Sequence, residues 1–287
     1  MTQLNRRQII DRLRTYAQRR NIAPDLARKY FMLERVLERL SKSDYRENFI
    51  IKGGFLVGSL IGIENRTTKD IDATITGIQL EQEQILSVFN EIFQDDSVDN
   101  IKFSLTKIQE IREEEFYPGY RLTVQYDLDG LKDNIKFDLT TGDSIVPEIQ
   151  TYEHQSILLD HPIYFLAYPI EQVLSEKLHT IIEHNVLSTR MRDFYDVYIL
   201  LKLQEDSIDF NSLKQSFENI MLKREAIVQK SDYQNVIDVL SKDQYMNNLW
   251  ENYQTSHSYA DGISYLDTIQ AVQQILYRIQ QVEKETL

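Results

Sequence analysis

The chain of 287 residues contains no cysteine, which excludes disulfides and thiolate zinc sites. Long apolar runs are also missing, so no membrane-spanning helix is expected. The first residues, MTQLNRRQIIDRLRT, lack the apolar stretch of a secretory signal, and a cytoplasmic protein is expected. The five histidines (His154, His161, His179, His184 and His257) show no metal-binding spacing. No GxSxG elbow is present, and GGFLVGSL lacks the GK[ST] ending of a Walker A loop.

What remains is ordinary globular composition, 42% hydrophobic and 27% charged, enough for one large domain or two smaller ones. The net charge of −13 is uneven. Residues 1–46 carry twelve Arg or Lys against five Asp or Glu, +7, which leaves −20 for the rest. An acidic body opposes diffuse nucleic-acid binding, whereas a basic helical arm can steer a polyanion to one place. The same arginines also suit a plainly solvated helix face.

Hydrophobic periodicity predicts helices over 5–20 and 24–41, a strand over 48–52, a helix over 54–62 and a strand over 70–76. A helix over 81–94 and a strand over 101–110 follow. Strands 120–128 and 134–140 then pair as a hairpin across Asp129-Gly130. Residues 141–168, punctuated by Pro147, Pro162 and Pro169, read as irregular and contain the domain boundary. Beyond them helices are expected over 170–186, 190–204, 211–229, 231–241 and 262–284. The order points to an α/β or α+β sheet domain over 1–165 and a helical domain over 166–287.

The chemistry concentrates in FIIKGGFLVGSLIGIENRTTKDIDAT, residues 49–74. An apolar strand meets Gly53-Gly54 and a short helix, and a basic, hydroxylated turn then opens onto Asp70-Ile71-Asp72. Alternation along a strand places Asp70 and Asp72 on one face. Two such carboxylates repel unless a cation lies between them, and hard divalent ions accept one or two carboxylates plus substrate phosphates. Glycines ahead of a helix N-terminus allow backbone amides to approach phosphate. Arg66, in what reads as an exposed turn, is a further candidate for phosphate contact. In the strand 134–140, Asp138 lies on the polar face with Lys136 and Thr140. Pattern alone leaves it a solvated residue unless its strand neighbours that of Asp70 and Asp72.

In the helical half, Lys177 lies beside the stripe of Leu174, Leu178 and Ile181, where a lysine ordinarily snorkels. Asp193 and Asp196 share a helix face, and Asp193 is stabilised near the helix N-terminus whatever its function.

Together KGG (52–54), RTTKDID (66–72), FDL (137–139), YPIEQVLSEKL (168–178) and RDFYDVY (192–198) resemble the AbiEii/AbiGii toxin family over residues 30–205. The resemblance implies a polymerase β-like nucleotidyltransferase fold: a mixed sheet with flanking helices, followed by a helical domain. It implies a Mg²⁺-dependent enzyme that transfers a nucleotide from an NTP, in some members to the acceptor end of tRNA. A cognate antitoxin protein or kinase-type regulator is the implied partner. By position, Thr68 matches the hydroxyl residue before the acidic pair, and Asp70 and Asp72 match the metal ligands. Asp138 matches the third carboxylate, Lys177 the triphosphate-contacting lysine, and Asp196 the aspartate of the last motif. Thr67-Thr68 departs from the usual aromatic-then-serine pattern but keeps the hydroxyl. Transfer to a protein hydroxyl and a catalytically silent binding module are the alternatives.

Overall fold

The structure is a computed structural model that describes residues 4–79, 81–94, 99–112 and 118–285. The chain divides into two compact units: Met1–Asp143 with Gln150–Ala167, and Ser144–Ile149 with Tyr168–Leu287. A single cut near residue 165 therefore misses one exchange, since the segment Ser144–Ile149 belongs with the helices.

In the first unit α1 (Arg6–Arg20) and α2 (Pro24–Lys42) precede β1 (Phe49–Lys52), α3 (Gly53–Ile61), β2 (Asp70–Ile75) and α4 (Gln82–Phe93). Then come β3 (Lys102–Arg112), β4 (Pro118–Leu128), β5 (Leu131–Thr141), β6 (Gln150–Gln155) and β7 (Pro162–Ala167). Asn5 and Gln8 close a reciprocal capping box at the start of α1, and Pro24 occupies the first turn of α2, where its missing N–H costs nothing.

The seven strands form one mixed sheet in the order β3-β4-β5-β2-β1-β7-β6. β2 runs parallel to β5 and antiparallel to β1, and β1 runs parallel to β7. The expectation of an irregular stretch over 141–168 is corrected here, because β6 and β7 lie within it and β7 is an interior strand beside β1. Pro162 is tolerated because it is the first residue of its strand.

One face of the central strands is apolar. Phe49 of β1, Phe89 of α4 and Phe137 of β5 meet edge to face, with ring centroids 5.5–6.2 Å apart. Each buried ring of this kind contributes roughly 1.5–3 kcal/mol. α2 is buried on every side from Tyr30 to Leu40, charged residues included. Arg39 Nη2 lies 2.6 Å from Asp99 and also donates to the Ile101 carbonyl, while Arg35 pairs with Glu38. Glu34, fully buried, accepts from His154 Nε2 (2.9 Å), Ser156 Oγ (2.7 Å) and the Ile157 amide (2.9 Å). Each buried charge thus has a partner, as its desolvation demands.

The second unit is helical: α5 (Ile170–His184), α6 (Met191–Gln204), α7 (Phe210–Lys223), α8 (Tyr233–Lys242), α9 (Gln244–Ser256) and α10 (Tyr265–Glu285). The expected helix over 211–229 stops at Lys223, and α9 is an addition. Its turns bury Met246 and Trp250, whose indole N–H donates to the Ile263 carbonyl. No described helix is long and apolar enough to cross a membrane.

Candidate active site

The polar face of the sheet is built by register. Lys52 of β1 pairs with Asp72 of β2, Asp72 with Asp138 of β5, and Asp138 with Arg121 of β4. One transverse row therefore reads cation, carboxylate, carboxylate, cation, and Asp70 lies two residues along β2 on the same face. The condition set by the pattern is met, because the strands of Asp72 and Asp138 are neighbours. Side chains opposite each other on a ladder are the closest pairs a sheet offers.

Arg121 holds Asp138 in a fork, Nε to Oδ1 at 2.9 Å and Nη2 to Oδ2 at 2.6 Å. This hydrogen-bonded pairing raises the Arg121 pKa well above its ordinary value against the opposing effect of burial, and the charges of Asp70 and Asp72 add to it. The guanidinium therefore shares one electrostatic neighbourhood with all three carboxylates. Lys52 Nζ lies 2.7 Å from Asp143 Oδ2, an oxygen that also accepts from Thr74. Neither Arg121 nor Asp143 stands out in the sequence, because only strand register brings them to the site.

The glycine turn lies directly against Asp72. Gly53 adopts φ +65°, a left-handed conformation open to glycine at little cost. The Gly54 amide, at the start of α3, donates to Asp72 Oδ2 at 3.3 Å. A Cβ on Gly54 would sit 3.1 Å from Thr68 Oγ1 and 3.3 Å from Arg66 Nη2, so these groups crowd around the same turn. Thr68 Oγ1 donates to the Asp70 carbonyl and accepts from the Asp70 amide, which fixes the entry into β2. Arg66 differs from expectation. It is buried, with Nη1 donating to the Thr67 carbonyl at 2.6 Å, so it braces the turn from inside.

Among the described residues no group of three or more His, Cys, Asp or Glu side chains is gathered closely enough to hold a metal ion. The donors at hand are nonetheless all carboxylate oxygens, with backbone amides beside them. That set fits a hard cation such as Mg²⁺, which binds through one or two carboxylates and completes its shell with water and phosphate oxygens.

In the helical unit, Lys177 Nζ of α5 lies 2.6 Å from Asp196 Oδ2 and 3.0 Å from Asp193 Oδ1 of α6. Asp196 is fully buried and the Lys177 side chain is only 11% exposed, so this lysine does not snorkel. Asp193 is more than a helix-end carboxylate, since it completes a fork around the ammonium. Spacing made Asp193 and Asp196 neighbours on one face, but only the packing of α5 on α6 shows that both hold Lys177.

Two solved structures resemble the whole chain. JHP933 from Helicobacter pylori superposes with a TM-score of 0.52 at 14% identity, covering 88% of this chain and 91% of its own. A second H. pylori protein, assigned to the nucleotidyltransferases, gives 0.50 at 13% identity and covers 91% and 99%. These likenesses show the fold, a mixed α+β sheet with flanking helices followed by a helical part. A comparison with curated proteins finds no match. Residues 35–275 match the nucleotidyl transferase AbiEii toxin family of type IV toxin–antitoxin systems, and the chain belongs to that family. The match reaches seventy residues beyond the motifs legible in the sequence and leaves α1 outside it.

Proposed function

We propose that this chain transfers a nucleoside monophosphate from an NTP, with Mg²⁺, to the end of an RNA acceptor such as a tRNA, in the cytoplasm and under control of a cognate antitoxin. The observation that supports this reading is the register that sets Asp72 against Asp138 with Asp70 on the same face, beneath the Gly53-Gly54 turn. Asp70 and Asp72 would hold the ion. When bound, it supplies Lewis-acid stabilisation of the charge that builds on the phosphate oxygens. In the transfer, the acceptor hydroxyl oxygen bonds to the α-phosphorus, the bond from that phosphorus to the bridging oxygen breaks, and pyrophosphate leaves. The amides at the start of α3 would receive phosphate oxygens, helped by the helix dipole. Asp138 is forked by Arg121 through both of its carboxylate oxygens. Its role is to position the carboxylate face, and the hydroxyl proton passes to solvent. Lys177, aligned by Asp193 and Asp196, is assigned to the β and γ phosphates as a point charge.

The test is incubation of the purified protein with radiolabelled NTPs, Mg²⁺ and a cell extract. Label should enter nuclease-sensitive, protease-resistant material and disappear with chelator, Asp70→Ala or Asp72→Ala. Undiminished labelling by either variant removes the carboxylate assignment, and label confined to protein replaces the RNA acceptor.

A further inference from the structure

Helix α1 carries six arginines against one aspartate, a charge of +5 on a chain whose total is −13. Four of the six are engaged. Arg6 donates to the Asp129 carbonyl at 2.7 Å, Arg20 pairs with Glu64, and Arg7 and Arg14 flank Asp11 at 3.8 and 3.9 Å. Arg12 and Arg19 have no acidic partner among the described residues and are exposed. They are seven residues apart and share one face, ~10 Å apart along the axis, with Thr15 and Tyr16 between them. That face forms one wall of a groove of 370 Å³, closed opposite by Ile157 and Leu158, with Asp11 also lining it.

The opposite wall is fixed in place. The buried Glu34 carboxylate accepts from the Ile157 amide and from Ser156 Oγ, and Ser156 Oγ in turn accepts from the Leu158 and Leu159 amides. A buried carboxylate thus anchors a loop whose apolar tip faces two unpaired arginines. The Tyr16 ring is half-buried in this wall, with the Arg20 guanidinium 5.8 Å from its centroid.

We infer that this groove binds a single-stranded RNA segment, with phosphates on Arg12 and Arg19 and a base packed against Tyr16, Ile157 and Leu158. Guanidinium forks at either end of an aromatic and apolar floor match the alternation of phosphate and base along an unpaired strand. Asp11 is already flanked by Arg7 and Arg14, so its repulsion of phosphate is offset. The inference rests on the acceptor being RNA, and it places a contact on α1, which lies outside the family match.

The experiment measures binding of a labelled 12-nucleotide single-stranded RNA of mixed sequence to the full chain across a salt series. The proteins are wild type, Arg12→Gln/Arg19→Gln, Lys102→Gln/Lys107→Gln (two exposed lysines of β3 outside the groove) and Tyr16→Leu, each checked for native circular dichroism. The Arg12/Arg19 variant should bind roughly tenfold or more weakly, with the slope of log K against log salt reduced by about 1.4. Tyr16→Leu should weaken binding at unchanged slope. If neutralising Lys102 and Lys107 costs as much as neutralising Arg12 and Arg19, attraction is diffuse and the groove assignment falls. If wild type and the Arg12/Arg19 variant bind alike, the groove assignment falls while the RNA acceptor stands. A wild type that labels protein and binds no RNA overturns both.

Discussion

Asp72 Oδ2 occupies the place where a side chain on Gly53 would begin: a Cβ there would lie 2.1 Å away. Gly53→Ala is therefore expected to abolish NTP-dependent labelling, because Asp72 must move and alanine must hold a left-handed φ at a cost of about 1–2 kcal/mol. Gly54→Ala meets its nearest atom, Thr68 Oγ1, at 3.1 Å and should lose less. Labelling assays beside thermal melts separate the two effects. Wild-type labelling by Gly53→Ala would detach the turn from the site.

Arg121 neutralises a face that carries three carboxylates. Arg121→Gln should tighten Mn²⁺ binding to the nucleotide-free protein by roughly three- to tenfold, since one cation no longer competes for Asp138. Calorimetric titration of both proteins reads this directly. Equal affinities would place Asp138 outside the ion's surroundings.

The fork on Lys177 is unequal. Asp196 is fully buried at 2.6 Å, whereas Asp193 lies at 3.0 Å and also faces Arg190. Asp196→Asn should cost about 3 kcal/mol or more in denaturant unfolding, and Asp193→Asn distinctly less. Lys177→Ala strands two carboxylates, so it should destabilise as well as raise the NTP concentration needed for half-maximal labelling. Asp193→Asn and Asp196→Asn of equal cost would contradict this ranking.

His179 supplies a pH dependence. Burial, reinforced by Arg224 and His184, lowers its pKa from 6.5 to about 4, and its Nε2 has no hydrogen-bond partner. The unfolded chain binds this proton below about 6.5 and the folded chain does not. Stability is therefore complete above that pH and declines as pH falls toward 4, by about 3 kcal/mol in all. His179→Gln should flatten the loss of Tm between pH 7.5 and 5. Parallel profiles for variant and wild type would exclude His179 as its source.

The sequence displays what depends on short range. Alternation placed Asp70 with Asp72, and a three-residue spacing placed Asp193 with Asp196. It was blind where partners are distant. β6 and β7 escape the pattern because QTYEHQ is polar and PIYFLA opens on proline, and β7 joins the centre of the sheet only through β1, more than a hundred residues earlier. Arg66 looked exposed because a turn rich in charge and hydroxyls carries no sign that α3 and β2 will enclose it. Arg121 meets Asp138 because the two-residue Asp129-Gly130 turn sets the hairpin register, a pairing that shows only when the ladder is counted back seven residues from the turn. α9 shows little apolar periodicity because Met246, Leu249 and Trp250 are scattered among amides and hydroxyls.

The position of β7 also bears on how this chain folds as it is synthesised. β1 carries the lysine and leads into the glycines of the site, yet one of its two neighbours ends at Ala167. At about 5–20 residues per second a ribosome needs roughly 6–20 s after β1 to deliver that strand. Until then the nascent chain exposes an open strand edge at the centre of its future sheet. That interval gives chaperones time to meet the chain before its fold is complete.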